Sequence, residues 1–165
     1  MPEWSEILEQ HGGVVWKTAY RLLGNDSDAS DCFQETFVAA LKLARRESVQ
    51  NWPALLRRIA TARALDRIRQ RARHSACRVP QANDAEVVSR HPPPEHETEQ
   101  AETIEVLTRS LARLPPNQSQ VVCLYYLEGN TYGQISEELK ISVNYVGVLM
   151  HRAKAALREM LTEHP

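Results

Sequence analysis

Two helix-opening signals stand close together near the end of this chain: Thr131 with Gln134 has the T-x-x-Q spacing of a capping box, and Ser142 can cap a second helix. Between them there is room for one short helix, with Ile135 and Leu139 inward, and a tight turn through "KIS". After Ser142 a stripe of Val146, Leu149 or Met150, Ala153, Leu157 and Leu161 predicts a longer final helix. Upstream, "LPPNQSQ" ends one helix and starts another, because proline fits a first turn but not an interior. The preceding helix carries Ile104, Leu107, Leu111 and Leu114 on one face; the following one carries Val121, Val122, Leu124, Tyr125 and Leu127 and stops at Gly129. Residues 101–165 therefore read as a helix-turn-helix domain.

The first half reads as helical too. Apolar residues recur at helical spacing over residues 7–23 until "GNDSD" breaks the pattern. Asp28 is a plausible N-cap for a helix to about Arg46, buried through Phe33, Phe37, Ala40 and Leu41. Pro53 suits the first turn of another helix that runs to about Arg73. Residues 1–74 thus predict a bundle of three or four helices. Residues 75–100, with three consecutive prolines and no periodicity, bury too little to offset ordering entropy and read as a flexible linker. His91 and His96, set among glutamates there, read as part of a solvated tether rather than a metal site. The expected fold is all-α: two small helical domains joined by a flexible linker.

With 42% hydrophobic and 25% charged residues the chain can form a core. No apolar run approaches the roughly 20 residues that span a bilayer, and "MPEWSEILEQ" lacks a signal peptide's basic flank, so a cytoplasmic protein without membrane insertion is expected. Cys32, Cys77 and Cys123 form no CxxC pair and read as reduced thiols. There is no phosphate-binding glycine loop, HExxH or GxSxG, so no enzyme, metal or cofactor is expected.

Charge is unevenly spread. Residues 1–74 hold 12 Lys+Arg against 9 Asp+Glu, while residues 75–113 hold 4 against 7. Residues 54–73 contain seven arginines and one acid, Asp66, with Arg63, Arg67 and Arg71 repeating every four residues opposite an inward face of Leu55, Ile59, Ala62, Leu65, Ile68 and Ala72. Such a guanidinium stripe fits a phosphate backbone, and the scarcity of balancing acids within the helix favours nucleic acid over a solvated face. Trp52, just upstream, suits either base stacking or core packing. Asp28, Asp31 and Glu35 form an acidic strip, readable as favourable charge at a helix N-terminus or as a docking surface for a basic partner. In the final helix Gly147, Val148, His151 and Arg152 share one face, where Arg152 can bond a guanine edge or a phosphate and Val148 can touch a thymine methyl.

Taken together, "DASDCFQETFVAAL" (28–41), "LLRRIATARALDRIRQRAR" (55–73) and the stretch from "LARLPPNQSQ" to "HRAKAALR" (111–158) resemble regions 2.2, 2.3–2.4 and 4 of bacterial RNA polymerase sigma factors of the extracytoplasmic function group of the sigma-70 family. The resemblance implies that Asp31, Gln34 and Glu35 dock on core polymerase. It implies that Trp52, Arg63, Arg67 and Arg71, with the loop before their helix, serve the minus-ten element as single-stranded DNA. Tyr145, Gly147, Val148, His151, Arg152 and Lys154 would serve the duplex minus-thirty-five element. The implied partners are core RNA polymerase and promoter DNA, with an anti-sigma factor as a further candidate. The sequence also departs from the family pattern: the frequent Asn of "IARN" is Ala62, the usual aromatic is Leu55, and "TVKSRLHRA" becomes "YVGVLMHRA". These departures bear on promoter sequence more than on polymerase docking. The alternative is a self-sufficient helix-turn-helix regulator with a helical dimerisation or sensing module.

Overall fold

The computed structural model describes residues 3–77 and 95–163, and among them the chain forms seven α-helices and no strand. Helix α1 (Trp4–Leu23) ends where Gly24 takes the left-handed conformation, φ 74°, and its N–H reaches back to the Tyr20 carbonyl. Helix α2 (Asp26–Ala44) starts earlier than the sequence suggests. Asn25, not Asp28, is its cap: extended at φ −144°, it accepts the Asp28 N–H on its side-chain oxygen at 2.8 Å. Asp26 and Asp28 then lie in the first turn, where the helix's positive end favours carboxylates.

Helix α3 (Trp52–Cys77) opens under Asn51, whose side chain accepts the Ala54 N–H at 3.1 Å, with Pro53 in the first turn as expected. Its buried face is rotated from the expected one. Leu56, Ala60, Ala64, Leu65 and Ile68 are buried, Leu55, Ile59 and Ala62 are half-buried, and Ala72 is exposed. The cause is position: α3 is the central strut, packed by α1 and α2 and also by α4 (Glu95–Arg113) and α5 (Pro116–Tyr126). A helix gripped from two sides does not show a single apolar stripe.

Helix α4 begins at Glu95, so residues 95–100, within the stretch read as linker, are helical; residues 78–94, including His91, lie outside the described residues. Leu111 and Leu114 of its apolar face are buried, but Ile104 and Leu107 are 57% and 42% exposed. Helix α5 has Pro116 at its start, and Gly129, φ 70°, turns the chain after it. Helix α6 (Tyr132–Leu139) opens with both bonds of the capping box, Thr131 Oγ1 accepting the Gln134 N–H at 3.2 Å and Gln134 Oε1 accepting the Thr131 N–H at 2.9 Å. Helix α7 (Val143–Thr162) is capped by Ser142 and buries Val146, Leu149, Met150 and Ala153.

The two helical units share apolar packing. One contiguous buried cluster runs from Ala19, Leu22 and Leu23 through Leu65 and Ile68 into Leu111, Leu114, Val122 and the helices that follow. A second, under α1, joins Ile7, Val15, Phe37, Leu56 and Ala60. Among the described residues no helix is long and apolar enough to cross a membrane.

Candidate functional site

The acidic strip comes from the register of α2. Cys32, Thr36 and Ala40 point inward, which leaves Asp31, Gln34 and Glu35 exposed on the opposite side. Thr36 is accommodated in the core because its hydroxyl donates to the Cys32 carbonyl at 2.7 Å. The strip is occupied from within the molecule. Arg67 of α3 places Nη2 at 2.5 Å from Glu35 Oε1 and Nη1 at 3.6 Å from Asp31 Oδ2 and 3.7 Å from Asp28 Oδ1. Arg71 pairs with Asp28 and also donates to the Leu23 carbonyl at 3.1 Å.

The balancing acids that the arginine stripe lacks in its own helix are thus supplied by α2. Of the three stripe residues, Arg63 is exposed and makes no ion pair among the described residues, whereas Arg67 and Arg71 are committed to carboxylates. Two further arginines of α3, Arg58 and Arg69, face the second unit. Arg69 Nη2 donates to Ser119 Oγ at 2.7 Å and its Nε to the Ala112 carbonyl at 3.3 Å, and Arg58 donates to the Glu138 carbonyl at 3.0 Å. Trp52 is half-buried, edge-on to Trp4 with ring centroids 5.4 Å apart, and packs on the cluster beneath α1. Of the two roles open to it, core packing is the one its surroundings supply.

The second face belongs to α7. Val146, Leu149, Met150 and Ala153 anchor it, so Asn144, Tyr145, Val148, His151 and Arg152 are presented outward together. Asn144, His151 and Arg152 have no side-chain hydrogen bond or ion pair among the described residues, and Val148 is 41% exposed. Tyr145 Oη accepts a long bond from Asn117 Nδ2 at 3.5 Å. Gly147 turns toward Tyr132, whose ring lies 3.9 Å from where a Cβ would stand, and is half-buried rather than part of the open face. Lys154 is held with its ammonium 5.9 Å from the centre of the Tyr126 ring. Asn144 is the residue the sequence reading missed. It stands four residues, about one turn, before Val148, and its amide can pair with an adenine edge.

The two described thiols, Cys32 and Cys123, are buried. Burial pushes Cys123 up to about 12 and also raises Cys32, so both are protonated near neutral pH. Burial likewise raises Glu138, whose Oε1 accepts from Asn130 Nδ2 at 2.9 Å.

With this geometry in place, relatives can be compared. Residues 7–74 match the family model for Sigma-70 region 2, and residues 104–157 match that for Sigma-70, region 4. The chain is 33% identical over 164 residues to the ECF RNA polymerase sigma factor SigE of Mycolicibacterium smegmatis, covering 99% of this chain but 63% of SigE, so it spans less than the full length of that relative. It is 26% identical over 166 residues to the ECF RNA polymerase sigma factor SigW of Bacillus subtilis, covering 96% and 89%. The sigma factor RpoE from Bartonella quintana, solved in complex with the anti-sigma factor NepR, has the same fold, with a TM-score of 0.55, 16% identity and 100% of both chains covered. Both regions of the family occur in order, and the relatives extend the match along nearly the whole chain: it belongs to the sigma-70 family, in the extracytoplasmic function group.

Proposed function

We propose that the chain is a sigma factor that binds core RNA polymerase and directs promoter recognition, DNA melting and transcription initiation without catalysing a reaction itself. Residues 1–74 dock on polymerase through Asp31, Gln34 and Glu35 and serve the minus-ten element, residues 75–100 join the units, and residues 101–165 read the minus-thirty-five duplex. Its place of work is the cytoplasm, where polymerase and promoter DNA are.

The carrying observation is that one chain presents an ordered carboxylate strip on α2 and a separate uncommitted face on α7. The strip has the sign and rigidity for a basic protein surface, and α7 has the width for a major groove. RpoE was solved with an anti-sigma factor, and that likeness supports such a factor as a further partner here. In the minus-ten role Arg63 is the stripe residue free to meet phosphate, while Arg67 and Arg71 contribute by fixing α2 against α3.

The test is reconstitution. The purified chain should co-elute with core polymerase and confer initiation at promoters that core alone ignores. Tight, sequence-specific DNA binding by the chain alone, with no co-elution, would instead establish the self-sufficient regulator.

A further inference from the structure

The open face of α7 has no hydrogen-bonding group at its centre. Asn144, Val148 and Arg152 stand one turn apart along it, an amide, an isopropyl group and a guanidinium, each about 6 Å from the next along the helix axis. That spacing is roughly two base-pair steps of 3.4 Å, so in a major groove the three side chains meet different pairs. Val148 is 41% exposed, and Tyr145, one turn earlier on the same side, is 40% exposed. Ala155, two turns after Val148, is exposed on that side as well.

The apolar centre is well positioned. Branching at the Cβ leaves Val148 one strongly preferred rotamer in a helix, and the Tyr145 phenol oxygen accepts the Asn117 amide at 3.5 Å. Nothing polar reaches over Val148 from position 147, because Gly147 has no side chain and the Tyr132 ring lies 3.9 Å from where its Cβ would stand. A lone exposed valine on a protein surface needs no explanation. Val148 differs by its place, midway between an amide and a guanidinium that fit base edges, where the pattern "TVKSRLHRA" has a serine and, one residue earlier, a lysine. A hydroxyl can bond any base edge, whereas an isopropyl group can bond none. The apolar group that a base pair offers in the major groove is the C5-methyl of thymine.

We propose that α7 reads the centre of its duplex element through thymine C5-methyl groups, with Val148 and the Tyr145 ring as the methyl-binding surface and Asn144 and Arg152 fixing the pairs on either side. This rests on the sigma-factor reading and deepens it by naming the chemistry that the face selects. Covering Val148 with a methyl removes apolar surface of both from water, and a cytosine in the same place offers only an amino group with no acceptor to meet it. Methylation of that cytosine at C5 puts a methyl group where thymine has one, so 5-methylcytosine satisfies the surface and cytosine does not.

The experiment uses the full chain reconstituted with core polymerase. Promoters randomised over the upstream element are sorted by initiation, and each thymine of the preferred element is then replaced singly by deoxyuracil, which removes the methyl and leaves base pairing intact. At least one replacement should lower initiation about fourfold, the ratio that corresponds to burial of one such group, and should have no effect with Val148→Ala. At that position 5-methylcytosine should initiate about fourfold better than cytosine with the parent chain, and equally with Val148→Ala. Val148→Ser should lose both methyl effects while keeping the preferences at the flanking pairs, which separates a lost methyl contact from a displaced helix. Neutral deoxyuracil at every thymine, a preferred element without thymine, or methyl effects of the same size in parent and Val148→Ala overturns the proposal. If no promoter in the pool initiates, the sigma-factor reading fails instead, and the same deoxyuracil and 5-methylcytosine series, read as binding of the chain alone to duplex DNA, still decides the methyl contact.

Discussion

The charges of α2 and α3 meet one another, whereas those on the open face of α7 meet nothing. Arg67 touches three carboxylates and keeps only 22% of its side chain exposed, while His151 and Arg152 stand in solvent without an ion pair. The difference matters for recognition. Carboxylates held by a neighbouring guanidinium lose little further freedom when a partner arrives, which suits docking on a protein surface of fixed shape. Unpartnered side chains on a helix can adjust to base edges and phosphates, which suits a groove whose sequence varies.

The largest expected effect breaks the ordered face. Asp31→Arg with Glu35→Arg should weaken binding to core polymerase by about 100-fold or more, because like charge at an interface costs several kcal/mol. The same double variant puts like charge at two of the three partners of Arg67, leaving only Asp28, so loss of binding alone would not separate docking from damage to the α2–α3 contact. Adding Arg67→Glu restores opposite charges toward positions 31 and 35, at the expense of the longer contact with Asp28, while leaving the outer strip basic. The triple variant should regain thermal stability and still fail to co-elute with polymerase. Recovery of binding together with stability would show that the strip serves the fold rather than the partner.

A smaller effect is expected from the open face. In holoenzyme, Arg152→Ala should lose about 1 to 3 kcal/mol of discrimination at one base pair of the upstream element, and Asn144→Ala a similar amount at a neighbouring pair. Initiation measured on singly substituted promoters resolves this. An unchanged preference at every position for Arg152→Ala would reduce it to a phosphate contact.

Next in size is the division within the arginine stripe. Arg63→Ala should lower the logarithmic salt slope of open-complex formation by about 0.7 to 0.9, one phosphate's contribution, while Arg67→Ala and Arg71→Ala should leave it almost unchanged because their charges are already matched. Equal slopes for all three substitutions would mean that the pairs with Asp28, Asp31 and Glu35 open when DNA binds.

Features written in neighbouring residues were legible in the sequence: the capping box at Thr131, the Ser142 cap, Pro53 and Pro116 in first turns and the stop at Gly129. Each depends on a backbone group within a few positions. Features that depend on distant segments were not. The acids that neutralise Arg67 lie on another helix, the rotated face of α3 reflects helices that arrive from both halves of the chain, and Trp52 finds Trp4 only once α1 is folded. The cap at Asn25 was misread because "NDSD" offers several capping side chains in succession, and backbone geometry selects among them. Within the candidate site, the placement of Val148 and Arg152 followed from periodicity, but Gly147 fell behind the face and Asn144 joined it, since spacing alone does not fix rotation about the helix axis.

The smallest prediction concerns the turn that aims the open face. Lys140 caps α6 in the left-handed conformation, φ 55° and ψ 44°, which a side chain with a Cβ adopts at a cost of roughly 1 to 2 kcal/mol. The turn is nonetheless fixed from both sides: the Lys140 and Ile141 N–H groups both bond the Ser136 carbonyl, and the Ser136 hydroxyl donates to the Ile141 carbonyl at 2.5 Å. Lys140→Gly relieves the strain but adds freedom to the unfolded chain worth about 0.4 to 1 kcal/mol, leaving an expected net gain of about 0.5 kcal/mol. Loss of the 3.9 Å contact with Glu47 should not mask that gain, because both partners are largely exposed and such pairs contribute little. Lys140→Val, with branching at the Cβ, should move stability the other way by about 1 kcal/mol. Denaturant unfolding of the two variants separates these signs. A destabilised glycine variant beside a neutral valine variant would show that the turn relies on the lysine side chain, and that the aim of α7 is set by contact with Glu47 rather than by the backbone between α6 and α7.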